Sequence, residues 1–295
     1  MITRLRAALA AVLLLTATGC AREVAHSVKA GTYRNAPVIL ISIDTLRADH
    51  LPAWGYRAGS TPNLDRLARQ SVLFRNAYSH CPLTLPSHVS VISGLLPPRH
   101  GVRDNIGFRF ESRDRNTLPE VLRRNGYRAG AAVSSYVLRG ETGLRALFDD
   151  YDDDIEFRPG SVLAELERPG AETAAIAERW VDENRTRPFF YFLHIYEPHA
   201  PYNAPAPFRW SAPTAYDAEI AYADSIVGGF LDHLRERGLF DRAIIIVIGD
   251  HGEGLGDHGE STHGLLLYRE ALHVPLIVKL PHDDGGGTTV GSPVG

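Results

Sequence analysis

The sequence predicts an α/β sandwich, with a central and mostly parallel sheet flanked by helices on both faces. Three observations lead there. The runs VILISI (38–43) and AIIIVI (243–248) are continuous and β-branched, as in strands buried on both faces. Segments of helical period lie between the apolar runs, which is the alternation of a parallel sheet. Asp44, His199 and Asp250 fall at or just past strand ends, where such sheets bind ligands.

Taken in order, Arg4 and Arg6 precede the apolar run ALAAVLLLTATGC, too short to span a bilayer comfortably and matching a secretory signal. It ends in Ala17-Thr18-Gly19-Cys20, which resembles a bacterial lipoprotein processing site. The expectation is a signal peptide over residues 1–20, with Cys20 lipidated as the first mature residue. That implies an exported protein held in the cell envelope by a lipid anchor, with Cys81 left as a free thiol. Polar residues 21–36 read as a linker off the membrane, and 37–295 as the catalytic domain.

Within that domain Val38 to Ile43 is the first strand. Residues 62–70 read as a short helix, with Thr61 as N-cap and Pro62 at the first position. Residues 72–78 are extended, and a helix starts near Thr84 with Pro86 early in it. Residues 118–125 form a helix closed by Gly126, followed by a strand over 129–134. Residues 171–184 form an amphipathic helix, 189–195 an aromatic-rich strand, and 216–237 a long helix ended by Gly238. Apolar strands follow at 243–248 and 274–280, and Gly285-Gly286-Gly287 is low in complexity.

Composition narrows the function classes. The 295 residues are 44% hydrophobic and 22% charged, which suits a globular domain. A formal charge of -4 and a pI near 6.3 give no basic footprint, so nucleic acid is not an expected partner. Two cysteines are too few for a disulfide framework.

The chemistry concentrates in three places. Asp44 ends the first strand; taken alone, it also suits a helix N-cap. Asp250-His251 follows the run IIIVIG, and offers an oxygen and a nitrogen to one divalent ion. Gly249 and Gly252 would let the backbone turn tightly around it. The pentapeptide Gly-Asp-His-Gly-Glu occurs at 249–253 and again at 256–260; only the first copy follows a strand, and only it is expected to coordinate. Thr84 stands at a helix start, where it reads either as a cap or as a nucleophile. A hydroxyl is hardly ionised at neutral pH, so a nucleophile there needs a base or a metal. The helix N-terminus would favour an anion, including a tetrahedral oxyanion. His194, His199 and His263 are candidates to meet that oxyanion, and Asn105 a candidate to donate to it.

The stretches ILISIDTLRADHLPAWGY, TPNLDRLARQSVLFRNAYS, TLPSHVSVISGLLPPRHGV, PFFYFLHIYEPHAPY, IIIVIGDHGEGLGDHGE and LYREALHVPLIV resemble, in this order, the sulfatase family of the alkaline phosphatase superfamily. They span about residues 37 to 281. The resemblance implies a sulfatase/alkaline-phosphatase-like sandwich, a metal at the strand ends and a covalent sulfo- or phospho-enzyme. Sulfatases that carry formylglycine make it from Cys or Ser at the head of a C/S-x-P-x-R motif. Here Thr84 heads it and His88 takes the Arg position. Thr has a branched Cβ and cannot give the aldehyde, so no formylglycine is expected, and Cys81 is three residues too early to replace it. The usual Lys-x-His pair is missing from GYRAGAAVSSYV, and His263 stands where a Lys is usual.

A Thr nucleophile resembles the phosphoester branches of the superfamily. By that resemblance Asp44, Thr84, Asp250 and His251 bind one divalent metal (Mn, Zn, Ca or Mg), while Asn105, His199 and His263 contact the oxyanion. The expected activity is metal-dependent hydrolysis of a sulfate or phosphate ester through Thr84, on a small-molecule, glycan or lipid substrate. Two alternatives stay open: a phosphotransferase acting on a membrane lipid or glycan, and a degenerate binding lipoprotein that keeps the fold. Family members continue past the VPLIV strand, whereas this chain runs into HDDGGGTTVGSPVG, so the domain is expected to be short at its C-terminal end.

Overall fold

Val38–Ile43 runs through the middle of the sheet as β1 with all six side chains buried, as an uninterrupted β-branched run requires. The computed structural model describes residues 28–112, 116–156, 160–162 and 166–295. The leader expected over residues 1–20, Cys20 included, lies outside the described residues. Of the expected linker, residues 30–35 form turns that lead into β1. The remaining main elements are α1 (Pro62–Arg69), β2 (Val72–Tyr78), α2 (Thr84–Ser93), α3 (Leu118–Arg124), β3 (Arg128–Ala132), β4 (Asp150–Asp152), α4 (Gly170–Asn184), β5 (Phe189–Ile195), α5 (Ala215–Glu236), β6 (Ile244–Gly249), β7 (His273–Lys279) and β8 (Thr289–Val290).

One eight-stranded sheet has the order β4-β3-β5-β1-β6-β7-β2-β8. β1 lies parallel to both β5 and β6, while β7 runs antiparallel to β6 and β2. Periodicity carries no strand direction. Between β6 and β7 the chain has loops, a 3-10 turn (Asp257–Gly259) and the four-residue helix Arg269–Leu272, and no long helix to cross a sheet face; the strand reverses. The sequence also gives no sign of β4 and β8. In Asp150–Asp152 only Tyr151 is buried, and β8 is two residues held by β2. Helix and strand ends otherwise differ from the expected ones by one or two residues, the ordinary latitude of frayed termini.

The pleat of β1 and β5 divides the core. Ile39, Ile41, Ile43, Phe189, Tyr191 and Leu193 face a cluster that takes Leu67 of α1, Val181 of α4, and Phe230 and Leu231 of α5. Val38, Leu40, Phe190 and Phe192 face the other cluster, which takes Leu85, Val89 and Ile92 of α2. Each such fully buried side chain contributes about 1.5–3 kcal/mol relative to exposure. The consequence for function is positional. α2 is anchored by its apolar residues on the second face, so its N-terminus is carried to the carboxyl ends of β1, β5 and β6. Register finishes the job: Ser42 pairs with His194 and Ile43 with Gly249, which sets Asp44 and Asp250 level on neighbouring strands.

Candidate active site

Asp44, Thr84, Asp250 and His251 are brought together from three separate parts of the chain, and all are buried. Asp44 is not a helix cap. Its two carboxylate oxygens have no hydrogen-bond partner; Oδ1 lies 3.6 Å from His251 Nε2 and Oδ2 lies 3.3 Å from His194 Nε2. Asp250 uses one oxygen structurally: Oδ1 accepts from the N–H of Thr45 (3.1 Å) and of His251 (2.8 Å). Its Oδ2 is buried without a partner, 3.5 Å from His251 Nε2. Thr45 is buried at φ 54°, a costly conformation for a β-branched residue. The strain buys the aim of its N–H at Asp250.

The tautomer of His251 follows from its neighbours. Nδ1 lies 2.9 Å from the Gly252 carbonyl oxygen, which can only accept. Nδ1 therefore carries the hydrogen, and Nε2 presents a lone pair toward both carboxylates. Burial, and then the His263 imidazole, depress the His251 pKa to about 3, so the ring is neutral. Ligand atoms of Asp44, Asp250 and His251 all lie within 4.8 Å of one another. Three orphaned carboxylate oxygens and one lone pair, converging in a buried pocket, repel one another and fit a divalent cation. Asp44 is held below the usual carboxylate range: burial opposes its charge, but the His194 imidazole, 3.3 Å from Oδ2, leads the groups that outweigh it. Asp250 is pushed well above that range by burial and then by the Asp44 charge. Without a cation the two carboxylates do not both stay ionised; with one, both can.

The glycines of the first pentapeptide act by closeness, a correction to the expected tight turn. Neither has a positive φ. A Cβ on Gly249 would sit 2.6 Å from Leu46 O, and one on Gly252 1.8 Å from Glu270 O.

Thr84 is the first residue of α2, and the cap position belongs to Leu83, which makes no side-chain cap. The Thr84 hydroxyl is thus not spent on capping; its Oγ1 lies 3.3 Å from His251 Nε2. Asn105 does the capping from outside the helix, its Oδ1 accepting from the Leu85 N–H at 2.8 Å. That leaves the Asn105 amide N–H₂ as its donor. Thr84, Asn105, His199 and His263 line one cavity of about 450 Å³, with Tyr196 and Glu253. His199 hydrogen-bonds the Ala200 carbonyl through Nδ1, and burial lowers its pKa. As a neutral ring it accepts at Nε2, and it donates there only as the imidazolium, a form that a bound anion favours. His263 Nδ1 lies 3.1 Å from Glu253 Oε1. Burial opposes its protonation, but the hydrogen bond and charge of Glu253 prevail and raise its pKa. Its ring stands 4.4 Å from that of His251, centroid to centroid.

Several participants escape a reading by motif. The sequence offers His194 only as one candidate histidine among three, yet it touches Asp44; its parity with Phe190 and Phe192 in β5 is the signal that puts it on the α2 face. His88, which the motif marks only as the residue at the Arg position, is buried. Its Nδ1 donates to Thr84 O at 2.7 Å, and its Nε2 meets Ser42 Oγ at 2.9 Å. Burial drops its pKa to about 3, with His194 adding to the fall, so it is a neutral strut between β1 and α2. Arg47 and Glu253 are buried hubs: Arg47 donates to Glu253 O at 3.0 Å, and Tyr202 donates to Glu253 Oε2 at 3.3 Å. Cys81 is free of any disulfide and partly buried.

The family model described as Sulfatase matches residues 37–286. Among curated relatives, iduronate 2-sulfatase of Mus musculus is 24% identical over 83% of this chain and 59% of its own. Ectonucleotide pyrophosphatase/phosphodiesterase family member 3 of Mus musculus is 25% identical over 73% of this chain and 25% of its own. The chain thus spans under two thirds of the length of either. Among solved structures, the phosphonate monoester hydrolase of Agrobacterium radiobacter superposes with a TM-score of 0.72 at 21% identity, covering 87% of this chain and 70% of that one.

Proposed function

The chain belongs to the sulfatase family, and we propose from that premise that it is a metal-dependent hydrolase of sulfate or phosphate esters with Thr84 as nucleophile. One observation carries the reading. The Thr84 hydroxyl, which caps no helix, donates to His251 Nε2 at 3.3 Å, beside three carboxylate oxygens that no protein group satisfies, and opens on a cavity shared with Asn105, His199 and His263. Asp44, Asp250 and His251 would hold the cation, with Thr84 beside them. Such an ion lowers the pKa of a nearby hydroxyl and neutralises charge on a non-bridging oxygen.

The residues of the chain then have distinct parts. Asn105 and the N–H groups at the start of α2 receive the oxyanion. The Thr84 hydroxyl releases its proton to solvent, and the Oγ–S or Oγ–P bond forms as the bond to the leaving oxygen breaks. His263, protonated and oriented by Glu253, gives that oxygen a proton from Nε2. Water next attacks the Thr84 ester and gives a proton to His263, and as the Oγ bond breaks Thr84 Oγ takes a proton from solvent. Thr84 cannot become formylglycine, so the intermediate is an ordinary threonine ester. Sulfatases and a phosphodiesterase both stand among the relatives, which supports leaving the ester open between the two acids.

Export through the 1–20 leader, with lipid on Cys20, belongs to the same proposal; among the described residues no helix is long and apolar enough to cross a membrane. Mass analysis of the mature N-terminus tests it. The catalytic reading is tested by metal analysis of the purified protein, with turnover measured on an aryl sulfate, a phosphate monoester and a phosphodiester. Bound divalent metal with turnover of at least one of these is expected; no metal and no turnover on any of them overturns it.

A further inference from the structure

The second Gly-Asp-His-Gly-Glu, residues 256–260, stands apart from the carboxylate pocket, and each of its polar side chains holds a different part of one loop. Asp257 pairs with Arg47 at 2.9 Å, the same guanidinium that donates to Glu253 O. His258 stacks on Tyr268 with centroids 3.8 Å apart, and its Nδ1 meets Glu270 Oε1 at 2.5 Å. Glu260 accepts twice: Oε1 from the Leu265 N–H at 2.9 Å and Oε2 from the Leu266 N–H at 3.1 Å. The segment so closed carries Thr262 and His263 into the cavity.

This loop has little apolar anchorage, since Leu265 and Leu267 are 86% and 68% exposed. Its place depends on polar clamps. The Gly254 N–H donates to Thr262 O at 2.6 Å, and the Gly256 N–H to Glu260 O at 2.8 Å. A Cβ on Gly254 would stand 2.3 Å from Glu260 O, so the residue that links the two copies is packed backbone to backbone against the end of the second.

We infer that Glu260 is a positioning residue, whose carboxylate closes the 261–266 loop and thereby fixes His263 against Glu253 and the oxyanion cavity. The duplicated motif has divided its work: the first copy supplies ligand-type side chains, and the second fastens the loop facing them. The inference rests on the reading of His263 as an oxyanion contact. Misplacement of such a group by about 1 Å costs on the order of a hundredfold in rate, whereas a surface carboxylate without this duty costs little.

The test uses the full chain with two readouts. The first is amide hydrogen exchange at Leu265 and Leu266. Both amides are expected to be protected in the parent protein, despite the exposed side chain of Leu265, and to exchange freely in Glu260→Ala. The second is the Kd for inorganic phosphate together with kcat and KM, in a cycle of Glu260→Ala and His263→Ala. Glu260→Ala is expected to weaken phosphate binding and kcat/KM about tenfold or more, and to add nothing once His263 is gone. Glu260→Gln, which keeps one acceptor oxygen, is expected to fall between and guards against a misfolded Ala variant. Equal penalties with and without His263, or amides that exchange as fast in the parent as in the variant, overturn the inference. Exchange and phosphate binding need no turnover, so failure of the hydrolase reading would show separately as absent catalysis with an intact brace.

Discussion

Asp250→Asn isolates the cation from the fold. Asp250 Oδ1 serves the backbone, accepting from Thr45 and His251, and Asn keeps that oxygen. Oδ2 serves nothing in the protein, and Asn puts a neutral donor there, as the protonated carboxyl of the cation-free site already is. The variant without metal should therefore melt no lower than the parent without metal. With a divalent ion at 100 times its Kd, the parent gains about 2.7 kcal/mol, or roughly 5 °C at about 2 °C per kcal/mol for a chain of this size. Losing even an outer-shell partner of a metal site costs 10- to 100-fold in affinity, and Asp250 would touch the ion. A hundredfold loss leaves a gain of about 0.4 kcal/mol at the same ion concentration, a shift of about 1 °C. The assay is thermal melting of parent and variant in chelator and in Mn, Zn, Ca or Mg. An Asp250→Asn protein that keeps the full shift would place the ion elsewhere and refute the argument.

Other outcomes follow from neighbouring residues. His263→Ala should slow esters with poor alkyl leaving groups by about 10²–10⁴-fold, the usual contribution of a general acid, and aryl esters much less; equal losses would deny it the proton. Phe192→Ala should cost about 3–5 kcal/mol in denaturant unfolding, because Phe192 is wholly buried between Phe148 and His88. Glu219 has its pKa raised to about 7 by burial, with Glu197 adding to the effect. Its proton is held in the native state at pH values where the unfolded chain, near 4.5, has lost it. The stability it gives is full below about 4.5 and is lost as pH rises through about 7. Glu219→Gln should accordingly raise the melting temperature at pH 8 and leave it little changed at pH 4.

The fold was legible because its central strands carry their own signal. The runs at β1, β5 and β6 are buried on both faces, so uninterrupted hydrophobicity marks them, and the polar residues at their ends mark the site. β4 and β8 were illegible because three and two residues hold no period, and β7's antiparallel direction leaves no mark in its hydrophobic pattern. The carboxylate pocket was legible for the same reason as the strands: Asp44 and Asp250-His251 end them. The supporting residues were not. His88 and His194 act through parity across the sheet, and Glu253 through contacts 10 and 51 residues distant in sequence. Thr84 shows the limit best. At a helix start it resembles a cap, and only the third dimension shows that Asn105 has taken over that duty and left the hydroxyl to meet His251.

The most direct test of the account is the intermediate itself. Turnover of a phosphate or sulfate ester, quenched in acid and digested, should yield the Thr84 peptide with one added phosphoryl or sulfuryl group. Thr84→Ala should yield no adduct and no turnover, while keeping the metal-linked rise in melting temperature. Full activity of Thr84→Ala, or an adduct on any other residue, would contradict it.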